Sequence, residues 1–326
     1  MRTPSRPLIA LSTMALASAG FALGAGSASA DLTTHCDGEA SDVTVPGDLV
    51  VGKDNSCVLD GVTIEGEVHV RAGADLVMSD SSVAERVVVA PDAYLDASDS
   101  EVGGNVVSRS GYGVYLEDSS VGGAFQGRLA EEDASPFLYS YDTSIDGRVN
   151  VEQGLVHLQT VTVGGPVTTS GTSYTDVLDS TFSRDLSVAD SPEGTAVCAS
   201  EIDGATTFTG NENVQLGTGA GIIDCEDGNY FGDDVTVSDN TGAVDVSGNI
   251  IRGDLTGEGN DPAPTGSDNR VRGEAGGQFT DLEPAAQALS AQATPADHAE
   301  ELDNQREERR ASAEASAELA GPANLG

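Results

Sequence analysis

The sequence predicts an all-β protein: a single parallel β-helix of about twelve coils with a 19-residue repeat, plus a disordered or helical C-terminal tail. Three observations carry this. An apolar residue recurs at nearly constant spacing, a glycine often stands two places after it, and apolar and polar residues alternate around it.

Residues 1–30 read as an export signal. Arg2 and Arg6 form a short basic start, and Leu8 to Leu23 is mostly apolar. Ala28-Ser29-Ala30 supplies the small-x-small pattern after which signal peptidase cuts. The expected organisation is a signal peptide over 1–30, a β-helix domain over 31–282 and an Ala/Glu-rich tail over 283–326. No other stretch is apolar over the ~20 residues that spanning requires. No integral membrane segment is therefore expected in the mature chain, and the protein is expected to be secreted and extracellular.

The repeat anchors begin at Val45, Ile64, Val83, Val102 and Val121 and end at Val271. Spacing is 19 residues for the first four steps, then 18 to 20 apart from one step of 24 and one of 29. Within a repeat the period is two. Ile64, Gly66, Val68 and Val70 fall on one face, and Glu65, Glu67 and His69 on the other. A second apolar pair, such as Leu76/Met78 or Val114/Leu116, precedes each next anchor, with turn residues such as Asp80-Ser81-Ser82 between. One such unit cannot bury its own apolar face. Stacked coils, each ~4.8 Å above the last, bury it in ladders, and twelve make a rod of about 55 Å. The glycine is expected to relieve crowding where the strand bends. The two long steps mark excursions over 126–136 and 211–229.

An aspartate stands three places before many anchors, at Asp80, Asp99, Asp118, Asp142, Asp179 and Asp268. Each is expected to bond the backbone N–H groups of its own turn. The competing reading is an acidic ladder that gathers Ca²⁺. Cys36, Cys57, Cys198 and Cys225 form an even set in an exported chain, which points to disulfides. Pairing neighbours, Cys36–Cys57 and Cys198–Cys225, sets each bridge across roughly one repeat. No CxxC suggests zinc.

In the tail, Thr294-Pro295 is a helix start and Gly321-Pro322 a stop. Between them only Leu302 and Leu319 are large and apolar, so no docking face is expected, and the tail reads as disordered or as a polar helix.

The chain has 15 Lys and Arg against 54 Asp and Glu, a formal charge of −39. Nucleic acid and anionic membranes recruit positive charge, so neither is an expected partner. Cell-envelope polysaccharide or protein remains.

An export signal followed by 19-residue VxGxV repeats resembles the large superfamily of secreted right-handed parallel β-helix proteins, over about residues 37–282. The resemblance implies a solenoid whose functions range over polysaccharide lyases, glycoside hydrolases, adhesins and passenger domains. The glycine–valine repeat is also similar to the bactofilin filaments, but those are cytoplasmic, and the signal and cysteines speak against that assignment.

Lyase-like members of the superfamily set a basic residue beside Ca²⁺-binding aspartates on an outer face. On the outward positions after the anchors, no two acids from neighbouring coils converge as an acid/base pair needs, and aromatics are few. Asp146, Arg148 and Asn150, with His157 in the same repeat, come nearest, and no catalytic residue is assigned. Thr168, Thr206 and Thr207 are too few and irregular for a hydroxyl-lined surface. The richest acidic cluster is Asp224, Glu226, Asp227, Asp233 and Asp234 in DCEDGNYFGDD, a candidate Ca²⁺ site of hard oxygen ligands. The expectation is a non-catalytic extracellular structural or adhesion/binding module. The alternatives are a carbohydrate-active β-helix enzyme and a calcium-dependent binding module.

Overall fold

In the computed structural model, residues 32–128, 135–218, 225–284 and 294–325 are described. Residues 1–30, expected as an export signal, Asp224 and parts of both excursions lie outside the described residues.

Most coils carry three short strands, one more than the sequence pattern resolves. The anchors lie on two-residue strands, from Thr44–Val45 to Arg270–Val271, which stack into a 12-stranded parallel sheet, the anchor ladder. A corner at the glycine separates them from a front ladder, running from Thr33–Cys36 and Asp48–Val51 up to Leu255–Thr256. A second corner leads to a back ladder, from Gly38–Ser41 and Ser56–Asp60 up to Val244–Ser247. Two longer strands, Val149–Gln159 and Val167–Leu178, run through that corner and join front and back into one 21-stranded sheet. Every coil-to-coil pairing is parallel, so identical positions superpose: Val68, Val87, Val106 and Phe125 form one inner row. The chain is a parallel β-solenoid, and its interior is filled by such rows of Val, Leu, Ile and Phe.

The corner glycines answer to backbone stacking. The Gly147 N–H donates to Gly123 O one coil earlier at 2.9 Å. A Cβ on Gly147 would stand 2.6 Å from that oxygen and 2.7 Å from Ala124 N. At the opposite corner the aspartates adopt left-handed backbone, with φ from 46° at Asp118 to 58° at Asp268, a conformation Asp tolerates better than most residues. The turn bond expected of the carboxylate is made by the next residue instead. Ser81, Ser100 and Ser119 each donate to a carbonyl two residues back and accept an N–H from the preceding coil. Farther along, asparagines take over this row: Asn229, Asn249 and Asn269 bond head to tail, and Asn211, Asn240 and Asn260 form a second buried ladder ending on Gln278.

Both expected disulfides are formed, Cys36–Cys57 and Cys198–Cys225, each with a Cα–Cα distance of 5.6 Å. No helix among the described residues is long and apolar enough to cross a membrane.

The tail departs from expectation by docking. Helix α1, Pro295–Ala320, starts at a Thr294/Asp297 capping box and ends at Gly321. It lies along the back ladder and reaches the first coils. Beyond it, Glu39 donates to Gly321 O and Ala323 donates to Glu39 O, so the C-terminal segment pairs with the first back strand. Leu325 then joins the buried core. Exposed first strands invite pairing with other chains, and here that edge is covered by the chain itself.

Candidate functional site

The polar groups that converge most tightly among the described residues lie under α1. Alternation sends Leu76 and Met78 of the back ladder inward, and Asp75 and Val77 outward. The outward positions superpose into two columns. One runs Val77, Asp96, Tyr115, Tyr139, His157 and Asp176 on successive coils. Beside it run Asp75, Tyr94, Gly113, Phe137, Leu155 and Tyr174. Gly113 leaves room there: a Cβ would push against the Phe137 ring. Phe137, Tyr94 and Tyr112 pack edge to face or tilted around this gap.

Helix geometry explains the match. One turn rises about 5.4 Å, close to the ~4.8 Å coil pitch, so side chains three or four apart meet successive coils. His298, Leu302, Arg306, Arg310, Ala313 and Ala317 form that stripe, with Arg309 beside it. The His298 ring stacks on Tyr174 at 3.6 Å, and its Nδ1 lies 2.8 Å from Asp176 Oδ2. Leu302 is buried among the aromatics. The Arg306 guanidinium sits 3.7 Å above the Tyr115 ring and donates to Asp96 and Glu117. Arg310 donates to the other Asp96 oxygen at 3.0 Å, and Tyr94 donates its hydroxyl to Asp96 at 2.8 Å. Arg309 donates to Asp75 at 2.7 Å and lies over Tyr112.

Asp96 is fully buried, so this neutralisation matters: an ionised carboxylate out of water requires paired charge. Burial is the largest single influence on Arg306 and Arg310 and works against their charge, but the groups around them together outweigh it and raise both: Asp96, Tyr115 and Glu117 for Arg306, Asp96 and Glu314 for Arg310. Burial also pushes Asp75 above the usual carboxylate range, against the opposing pull of Arg309. It drives Tyr94, Tyr115 and Tyr174 upward and Tyr139 to about 12, so the tyrosines stay protonated as platforms and donors.

At the far end the fit is poorer. His157 Nδ1 stands 3.6 Å from Asp176 Oδ2. His157 Nδ1, the Tyr174 hydroxyl and His298 Nε2 are buried without a hydrogen bond.

The residues singled out by sequence fall elsewhere. Asp146 and Arg148 are exposed near the front corner, and Asn150 is half-buried on the front ladder. His157 lies on the back ladder, against Tyr139 and under the helix, so the four form no group. Glu226, Asp227, Asp233 and Asp234 are exposed. Asp233 accepts from Asp234 N, and Asp234 accepts from Asp254 N on the next coil at 2.8 Å. Asp234 thus belongs to a corner row in which Asp48, Asn105, Asp185 and Asp254 do the same. Among the described residues no group of three or more His, Cys, Asp or Glu stands in metal-holding geometry. The corner aspartates Asp80, Asp99, Asp118 and Asp142 line an open groove of about 700 Å³ with Ser and Thr. Thr206 points inward and is buried, but Thr168 and Thr207 belong to an in-register row with Ser187, Thr236 and Thr256 on the front face.

Sequence reasoning missed the back-ladder columns because it took outward positions only from the residues after the anchors. The i, i+4 stripe of α1 was legible, but a test for large apolar residues does not register arginine and histidine. No family model, curated protein or solved structure matches the chain.

Proposed function

We propose that this protein is an exported, non-catalytic binding rod that works outside the cell, holding cell-envelope polysaccharide or protein. The observation that carries the reading is the use of the convergent groups. The buried acids, histidine and tyrosines of the back ladder are occupied by the chain's own helix, with no open cleft left above them. On the front face Thr168, Ser187, Thr207, Thr236 and Thr256 set one hydroxyl per coil in register. Such rows suit contact with an extended polymer better than bond cleavage, which needs two groups at one reacting atom. Two disulfides fit an oxidising compartment.

The test is turnover against retention. Purified mature chain is incubated with a panel of acidic and neutral envelope polysaccharides, and released reducing ends and retained polymer are both measured. Retention without product is expected. Product formation that Asp176→Asn or Asp96→Asn abolishes would overturn the reading in favour of a carbohydrate-active enzyme.

A further inference from the structure

We propose that the tyrosine–acid track of the back ladder is a recognition groove for an arginine-bearing helical segment of another protein, and that α1 is the resident occupant such a segment displaces. The inference rests on the binding-module reading and supplies its site and partner chemistry.

The structure displays the ligand chemistry directly. Asp96 takes two guanidinium groups, Tyr115 takes the face of one of them, and Asp75 with Tyr112 takes a third. Planar guanidinium both stacks and bonds carboxylate in a fixed fork, so the groove favours arginine over lysine. The near match of helical turn to coil pitch is generic. Any helix carrying cations three and four residues apart meets the same rows.

Within the groove α1 is held by charge and stacking rather than apolar area, while the segment after it is anchored separately by backbone pairing with Glu39 and by Leu325. Leu302 is its one large aliphatic side chain in the groove, and Leu319 is 90% exposed. Its hold is also incomplete. His157 Nδ1, the Tyr174 hydroxyl and His298 Nε2 are buried without a protein hydrogen bond at one end. A segment that bonds these atoms while keeping the arginines fits better than the chain's own helix. The formal charge of −39 favours encounter with such a cation-bearing segment. A tethered helix competes at an effective concentration on the order of millimolar, so the site is masked until the tether loses.

The experiment uses the full mature chain and a fluorescent Ala/Glu host helix bearing only a His-Leu-Arg-Arg-Arg stripe at the α1 spacing. Anisotropy is measured with the wild-type chain and with an unlatched chain carrying Arg306→Gln, Arg309→Gln and Arg310→Gln. The expected result is binding at least about ten-fold tighter to the unlatched chain. Adding Asp96→Asn should lose it, and an Arg→Lys peptide should be weaker. Far-UV circular dichroism and melting confirm that the unlatched solenoid is folded, and Arg306→Gln alone serves if the triple variant is not. The proposal is overturned if a folded unlatched chain fails to bind the peptide, or binds it equally with Asp96→Asn and Tyr115→Ala. It is also overturned if that chain takes neutral glycans instead. Failure of this kind leaves the non-catalytic rod standing, since that reading falls only on polymer turnover.

Discussion

At the residue scale, the solenoid is set by positions where one atom more or less cannot be absorbed. Gly147→Ala would press a Cβ against the backbone one coil earlier. We expect a loss of about 1–3 kcal/mol, the usual range for overpacking, read as a lower denaturant midpoint. Asn229 accepts from the Ser200 N–H and donates to Val197 O inside the rod. Asn229→Leu fills similar volume but strands the Ser200 donor, so a loss of about 1–3 kcal/mol is expected in the same measurement. Asp75 behaves in the opposite sense. Its folded-state pKa is raised by burial, so the folded chain holds that proton more tightly than the unfolded chain. Its favourable contribution is therefore present below 3.8 and is lost as pH rises through the raised value. Asp75→Asn should melt at or above wild type at neutral pH, with the gap closing in acid. A clear destabilisation at neutral pH would mean that the Arg309 pair outweighs the burial cost. The corner glycines were visible as a pattern in the sequence. Their cause was not, because it lies in the backbone one coil away.

At the element scale, the repeat made the strands and their inward residues legible, since period two and a constant spacing leave few other folds. It hid the corner at the glycine. The alternation runs unbroken from the anchor through the residues after it, yet Ile64 and Val68 belong to different ladders. Helix α1 was located at its ends by Thr294, Pro295 and Gly321, but its docking was not foreseen. Hydrophobic patterning asks where apolar area goes, and α1 instead places Arg306 and Arg310 on buried Asp96. Such an interface should weaken with salt, because the screening length falls to about 3 Å at 1 M. Arg306→Ala with Arg310→Ala should loosen the middle of α1 by leaving the buried carboxylate without its cations. Loss of helical signal at 222 nm, with the β-sheet melting transition retained, is the check. An isolated polar helix is marginal in water, so undocking should also unwind it.

At the scale of the whole molecule, the rod is closed on itself. The chain climbs the solenoid, returns along the back ladder as α1, and pairs Gly321–Ala323 with the first back strand. The same return covers the aromatic columns, so stability, edge protection and access to the candidate groove depend on one docking event. Sequence could give the rod, because every coil repeats the same local rule. It could not give the closure, which joins residues as distant in sequence as Glu39 and Ala323 through contacts made once. The most direct test is hydrogen–deuterium exchange on residues 31–326 at low salt and at 1 M NaCl. Protection is expected across α1 at low salt, falling at least about ten-fold at 1 M while the solenoid strands keep theirs. Exchange of α1 at the rate of an unstructured segment at low salt, or protection indifferent to salt, would contradict the charge-held closure.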